Sequence, residues 1–188
     1  MQRTTRLLGA VSATALIVMT STPAMAEGIR AGTDITNTVT VDYQVNGVIQ
    51  NQETASDTFA VDRRVNVTVA AVDSPKTVNP GSTDAFLTFD VTNLSNDVVD
   101  LNLTATLEDG TAANIDAFTI YEDTNNNGTF DGADQVITFL DEVAEDETLR
   151  VFVVTDISSD AVNDDTFDVS LNANAHQAAT GSAGTGPA

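Results

Sequence analysis

The chain contains no cysteine and no tryptophan, and only one histidine and two tyrosines. Without cysteine, the protein has neither a disulfide framework nor a thiolate that could act as nucleophile or metal ligand. The single histidine, His176, follows the last predicted strand. One histidine is too few for a zinc site that is built from several histidine ligands. Few aromatic rings also argue against the sugar-binding cleft of a glycosidase. With no G-x-S-x-G elbow and no phosphate-binding glycine loop, the sequence predicts no enzymatic activity.

Positive charge is scarce as well, because the chain has only 7 Lys and Arg residues but 28 Asp and Glu residues. Phosphate groups are bound through Lys and Arg, so this composition excludes nucleic acid as a natural partner and disfavours anionic lipid surfaces. The formal net charge of −21 also destabilises a compact state through self-repulsion. Bound divalent cations or high ambient salt would relieve that repulsion.

Residues 1–26 have the three parts of a secretory signal peptide. Arg3 and Arg6 give a basic start, residues 7–19 form an apolar run, and Ala24-Met25-Ala26 provides a small-x-small end. The run is shorter than the about 20 apolar residues that a membrane-spanning helix needs, which disfavours the alternative of an uncleaved anchor. Cleavage after Ala26 would leave 162 residues with five basic and 28 acidic side chains. No later segment is apolar enough to span a bilayer.

After the predicted cleavage site, apolar and polar residues alternate repeatedly, which is the period of a half-buried β-strand. The longest row is Val99, Leu101, Leu103, Ala105 and Leu107, and Asn46-Gly47 favours a tight hairpin turn. No stretch shows the 3.6-residue period of a helix. The sequence therefore predicts one all-β domain over residues 27–176, an antiparallel immunoglobulin-like β-sandwich of about eight to ten strands. Residues 177–188, rich in Ala, Gly, Thr and Ser, are predicted to form a disordered tail.

Residues 123–134 match the twelve-residue pattern of a calcium loop, D-x-[DN]-x-[DN]-G-x5-acid. Ca²⁺ prefers six to eight hard oxygen ligands, and this spacing supplies them at alternate positions. Gly128 lies where the chain must turn sharply around the ion. The predicted ligands are the side chains of Asp123, Asn125 and Asn127, the backbone carbonyl of Thr129, Asp131 at the ninth position, and Asp134 at the twelfth.

Two departures from the usual calcium loop affect the prediction. Asp134 replaces the usual glutamate, and its shorter side chain should lower the affinity. Predicted strands rather than helices flank the loop, so we expect a static structural site and not a helix-pair switch. The alternative is a polar hairpin tip without metal, since Asn, Asp and Gly all favour turns.

The segment Asn79-Pro80-Gly81, followed by AFLTFDVTN at residues 85–93, resembles the bacterial conserved-repeat surface domains. The opening AGTDITNT at residues 31–38 and the loop of residues 121–134 are also similar to exported proteins of this group from Gram-negative bacteria. The resemblance implies an immunoglobulin-like sandwich that serves as an extracellular or cell-surface structural module. It implies no catalytic residues.

These observations favour a secreted structural or adhesive protein of the cell surface or matrix, stabilised by Ca²⁺. Residues 33–45 form a long segment that is rich in β-branched residues, and this segment precedes the predicted core. One hypothesis is that this strand pairs with the sheet edge of a neighbouring copy and builds fibres. The alternative is that the strand belongs to its own sheet. A second class of function is a soluble secreted or periplasmic binding module for a small ligand or glycan, and the fold alone does not choose between them.

Overall fold

The computed structural model describes residues 28–186, so the predicted signal peptide lies outside the described residues. The regular secondary structure in this part of the chain is almost entirely β, and its strands pair in antiparallel sheets. This confirms the predicted fold class. The only helical element described is one 3-10 turn at Ala112–Asn114. In chain order the strands are β1 (Asp34–Val41), β2 (Gln44–Val45), β3 (Val48–Ile49), β4 (Glu53–Ala60), β5 (Val67–Ala71), β6 (Ala85–Asn93), β7 (Val99–Asp109), β8 (Thr119–Glu122), β9 (Gln135–Ile137), β10 (Phe139–Val143), β11 (Thr148–Thr155) and β12 (Asp168–Gln177).

Eight of these strands form two facing sheets, in the order β5-β6-β11-β8-β9 and β10-β7-β12. The alternation in the sequence places every second side chain between the sheets. Val91 and Val151 of the larger sheet and Val99 and Leu101 of the smaller one are completely buried there. Burial of this one continuous core is the main stabilising contribution to a domain without disulfides.

The other four strands form a projecting hairpin, residues 33–61, which we call the arm. β1 pairs with β4 over eight residues, and β2 pairs with β3 beyond them. Asn46 and Gly47, which join β2 to β3, both have positive φ, the geometry that the Asn-Gly pair favours. The N-terminal strand therefore pairs within its own chain, yet nearly all arm residues are exposed and neither β1 nor β4 belongs to the sandwich sheets.

The base of the arm is fixed to the sandwich through backbone and side-chain hydrogen bonds. Asn96 accepts a hydrogen bond from the backbone of Ala31 and donates its amide to the carbonyls of Ile29 and Asp62. Arg30 forms an ion pair with Glu145. The arm therefore leaves the sandwich at the end that carries the β6–β7 connection, which we call the arm pole.

Residues 177–186 make specific contacts in the structure, whereas the sequence predicted disorder from residue 177. The backbone N–H of Ala179 donates to the completely buried carboxylate of Asp100, and Gly181 donates to Asp141. His176 lies within β12, not after the last strand, and its ring hydrogen bonds to the carbonyl of Gly186. Hydrophobic periodicity did not indicate this segment because its contacts are polar. Across residues 28–186, no helix is long and apolar enough to cross a membrane.

Candidate metal centre

The predicted calcium loop connects β8 to β9 and folds back over the outer face of the five-stranded sheet. Phe152 of β11 faces outwards there but is completely buried, because aromatic rings cover it. The ring of Phe130, from the loop, lies 4.8 Å from Tyr121, 5.8 Å from Phe86 and 6.0 Å from Phe152, centroid to centroid. Phe130 therefore anchors the loop on a second, smaller apolar cluster outside the main core.

Asp123 begins the loop directly after β8 and is buried, with 4% of its surface exposed. One carboxylate oxygen accepts a hydrogen bond from the backbone of Asn127 at 3.1 Å, and the other accepts one from Gly128 at 2.8 Å. A buried charge is tolerated only when it is hydrogen bonded or paired in this way. The aspartate therefore holds the turn closed through two backbone hydrogen bonds.

The middle of the loop gathers polar side chains around Asp131. One oxygen of Asp131 accepts hydrogen bonds from the side-chain amides of Asn127 at 2.7 Å and Asn125 at 3.3 Å, and the other accepts one from Ala133. These bonds, the one from the Ala133 backbone first, lower the pKa of Asp131. The amide oxygens of Asn125 and Asn127 accept the backbone N–H groups of Asn127 and Thr129. Thr129, whose carbonyl is the fourth predicted ligand, is thereby tied to Asn127.

Asp134 closes the loop and leaves one oxygen without a partner. Its Oδ2 accepts a hydrogen bond from the backbone of Asp131 at 2.7 Å. Its Oδ1 is buried and makes no hydrogen bond within the described part of the chain. An unsatisfied buried carboxylate oxygen is costly, and a cation is one of the partners that can satisfy it. The hydroxyl of Thr124 also donates to the carbonyl of Ala133, which ties the two ends of the loop together.

The structure places the six predicted ligands in one loop but does not turn its carboxylates towards a common point. Within residues 28–186, no group of three or more His, Asp or Glu side chains is arranged to hold a metal ion. The physical reason is that the backbone N–H groups of the loop engage Asp123, Asp131 and Asp134. The hard oxygen donors and the orphaned oxygen of Asp134 fit Ca²⁺ chemically, and binding would require these carboxylates to reorient.

Gly128 occupies the sharp turn of the loop with φ of 73°, which a side chain rarely adopts. A Cβ at this position would lie 2.9 Å from a guanidinium nitrogen of Arg150. Arg150 forms a bidentate pair with Asp90, which is the largest cause of its raised pKa, and the charge of Asp123 contributes less. A fixed positive charge thus lies beside the acidic loop and offsets part of its repulsion.

Phe130 anchors the candidate loop, and the sequence pattern did not indicate this role. The pattern of a calcium loop concerns only oxygen donors and glycine, so a residue at a position with no ligand role attracted no prediction. Its signal was a lone aromatic side chain inside a run of Asp, Asn and Gly, which is an unusual place for an apolar group. An apolar side chain in such a loop indicates that the loop packs against another apolar surface of the protein.

A second feature is an open groove at the end of the sandwich opposite the arm, which we call the pole groove. It has a volume of about 640 Å³ and forms where β5 has ended and the space between the two sheets opens. Its acidic rim includes Asp73, Asp164 and Asp168, and Lys76 lies 3.1 Å above the ring of Phe86. Burial lowers the pKa of Lys76. Apolar side chains that line the groove are Leu87, Phe118, Phe167 and Val169, with Ala71 at the end of β5.

The fold and its loop define an antiparallel, two-sheet β-sandwich domain with a projecting hairpin and a candidate calcium loop. Comparison with known proteins adds no relative to this description: the chain matches no protein-family model, no curated protein and no solved structure.

Proposed function

We propose that the protein is an exported, calcium-stabilised structural or adhesive component of the cell surface or matrix that assembles through its arm. The observation that carries this proposal is the exposure of the arm. Val39 is 56% exposed, Phe59 is 62% exposed and Ile49 is 78% exposed. Such a surface is typical of a segment that is covered by a partner.

The calcium part of the proposal rests on the chemistry of residues 123–134. Asp123, Asn125, Asn127, Asp131 and Asp134 would supply side-chain oxygens, and Thr129 would supply its carbonyl. Bound Ca²⁺ would satisfy the orphaned oxygen of Asp134 and neutralise local acid in a chain of strongly negative charge. The ion would support the fold rather than catalyse a reaction, and the anchoring of the loop by Phe130 favours a static role.

A second candidate function is a secreted or periplasmic binding module, which the pole groove supports. Its volume lies within the range of about 300–1,000 Å³ that is usual for small-molecule sites. The groove is lined by a mixture of apolar side chains, such as Leu87 and Phe118, and polar or charged ones, such as Thr88 and Lys76, and a mixed lining of this kind can bind a small molecule. In this alternative the arm would attach the module to another component and the calcium loop would contribute stability only.

Export is the first part of the proposal to test, because the surface role requires it. The leader predicts that the chain recovered from the medium or from the cell envelope begins at Glu27. N-terminal sequencing of the protein from each fraction measures this start directly. Replacing Ala24 and Ala26 by bulky residues should retain the full-length chain in the cell membrane. A chain that begins at Met1 and stays in the cytosolic fraction would contradict the proposal.

A further inference from the structure

The sequence contains the dipeptide Asn-Gly twice, as Asn46-Gly47 at the tip of the arm and as Asn127-Gly128 in the candidate calcium loop. Asparagine is one of the chemically labile residues of proteins, and it is most labile before glycine, where no side chain shields the following backbone nitrogen. Both asparagines are exposed, so access to solvent does not distinguish them. The structure distinguishes them by hydrogen bonding and by the anchoring of the two turns.

The tip of the arm is held by few contacts. β2 and β3 form only two residue pairs, and the two residues that join them have φ of 49° and 79°. Within residues 28–186, neither the side chain of Asn46 nor the backbone N–H of Gly47 has a hydrogen-bond partner; the side-chain hydrogen bonds near the tip are made by Gln50 and Gln52. A two-stranded hairpin of this length is marginally stable in water, so the turn opens at little cost in free energy.

The same dipeptide in the candidate calcium loop is held at each group that would react. The backbone N–H of Gly128 donates to Asp123 at 2.8 Å. The side-chain amide of Asn127 donates to Asp131 at 2.7 Å, and its oxygen accepts the N–H of Thr129 at 2.7 Å. The aromatic anchor of the loop also packs on the sheet close by. Movement of this turn therefore requires the loss of several hydrogen bonds and an apolar contact together.

We propose that Asn46 is a site of spontaneous deamidation in the folded protein and that the structure protects Asn127 from the same reaction. The backbone nitrogen of Gly47 attacks the side-chain carbonyl carbon of Asn46 and loses its proton, and the amide nitrogen leaves as ammonia. The product is a cyclic imide that joins the two residues. Water then adds to one of the two imide carbonyls and breaks its C–N bond, which gives aspartate or isoaspartate. The net reaction consumes one water and releases one ammonia, and it needs no oxidant, reductant or cofactor.

Either product changes the tip of the arm. Aspartate adds a negative charge to a segment, residues 33–61, that contains acidic residues such as Asp42 and Glu53 and no Lys or Arg. Isoaspartate also lengthens the backbone by one carbon atom, so the two-residue turn no longer matches the pairing of β2 with β3. The reaction is therefore a slow, irreversible modification of the exposed end of the arm.

Peptide mapping by mass spectrometry tests the proposal on the chain beginning at Glu27. The folded chain is incubated with chelator, so that the outcome does not depend on metal, in mildly alkaline water enriched in heavy oxygen. Each deamidated site takes up a heavy oxygen atom and gains mass, and fragmentation separates isoaspartate from aspartate. We expect Asn46 to convert at least about tenfold faster than Asn127, because opening of the held turn has the larger free-energy cost.

The chain unfolded in urea is the control for intrinsic reactivity, and the two sites should convert at similar rates there because both asparagines precede glycine. Asp123→Ala removes the acceptor of the Gly128 N–H and should accelerate conversion at Asn127, with the rate at Asn46 as internal reference. Asp160→Ala removes an exposed carboxylate outside the loop and should leave both rates unchanged. Thermal unfolding of each variant shows whether its sandwich is intact.

Two results would overturn the inference. Equal conversion of Asn46 and Asn127 in the folded chain would show that the loop gives no protection. Absence of conversion at Asn46 over a period in which the unfolded chain reacts completely would show that the arm tip is not a modification site. Neither result depends on assembly of the chain, so the proposed function is tested separately.

Discussion

Replacing Asp123 by alanine is expected to abolish the gain in thermal stability that Ca²⁺ gives to the chain. Asp123 is the one predicted ligand that is buried, and its carboxylate organises the turn through Asn127 and Gly128. Extracellular calcium sites commonly have dissociation constants on the order of 10⁻⁴ M. At about 10 mM Ca²⁺, a hundredfold excess over that constant stabilises the folded state by about 2.7 kcal/mol.

The measurement is the melting temperature with Ca²⁺ and with chelator. For a domain of this size the calcium-dependent increment should be roughly 5–10 °C in the parent chain and close to zero in Asp123→Ala. Asp160→Ala is the matched control, because it removes one exposed carboxylate from another acidic loop. An equal increment in all three chains would show that Ca²⁺ acts by general charge neutralisation and that residues 123–134 form no specific site.

A second large effect is expected at Asn93, which is completely buried where the two sheets meet the arm pole. Its side-chain amide donates to the carbonyls of Asp97, Val143 and Ala144, and its oxygen accepts the N–H of Ser95. Alanine at this position leaves those backbone groups without their partner in a buried site. Each such group costs about 1–3 kcal/mol when it stays unsatisfied, so we expect Asn93→Ala to lose about 3 kcal/mol.

Urea or thermal unfolding measures this loss, which corresponds to a decrease of roughly 6–12 °C in melting temperature. Asn172→Ala, at an exposed position of β12, should change the free energy of unfolding by no more than about 0.5 kcal/mol. If the two substitutions are equally mild, the hydrogen bonds of Asn93 do not hold the β6–β7 connection to the loop before β11.

The sandwich could be predicted because the signal for each strand, the alternation of apolar and polar residues, lies within the strand itself and recurs along the chain. The row from Val99 to Leu107 alternates, and β7 takes its buried apolar residues from that row. The Asn-Gly turn could likewise be predicted, since a tight hairpin turn requires positive φ at both of its central residues and Asn and Gly adopt positive φ readily. Neither inference needed knowledge of which strands become neighbours.

The arm could not be predicted in the same way. β1 has the composition of a strand, but the sequence does not say whether its partner is the core, a neighbouring copy or β4. The distinction depends on where residues 62–66 direct the chain, which is set by hydrogen bonds to Asn96 far along the sequence. For the same reason the contacts of the C-terminal segment with Asp100 and Asp141 gave no periodic signal.

The oxygen ligands of the candidate calcium loop could be predicted, but the contacts that hold the loop against the sheet could not. Spacing identified the oxygen donors of residues 123–134, and the structure keeps them in one loop. That Phe130 anchors the loop on Phe152, and that Arg150 lies beside Gly128, follow from strand pairing rather than from the local pattern.

Assembly through the arm can be tested by measuring the mass of the parent chain in solution. Light scattering with negative-stain microscopy should be carried out on the chain beginning at Glu27, with Ca²⁺ and with chelator, over a series of concentrations. We expect filaments in Ca²⁺ whose mass grows with concentration. A monodisperse monomer at every concentration, with and without Ca²⁺, would contradict it and would favour the binding-module alternative.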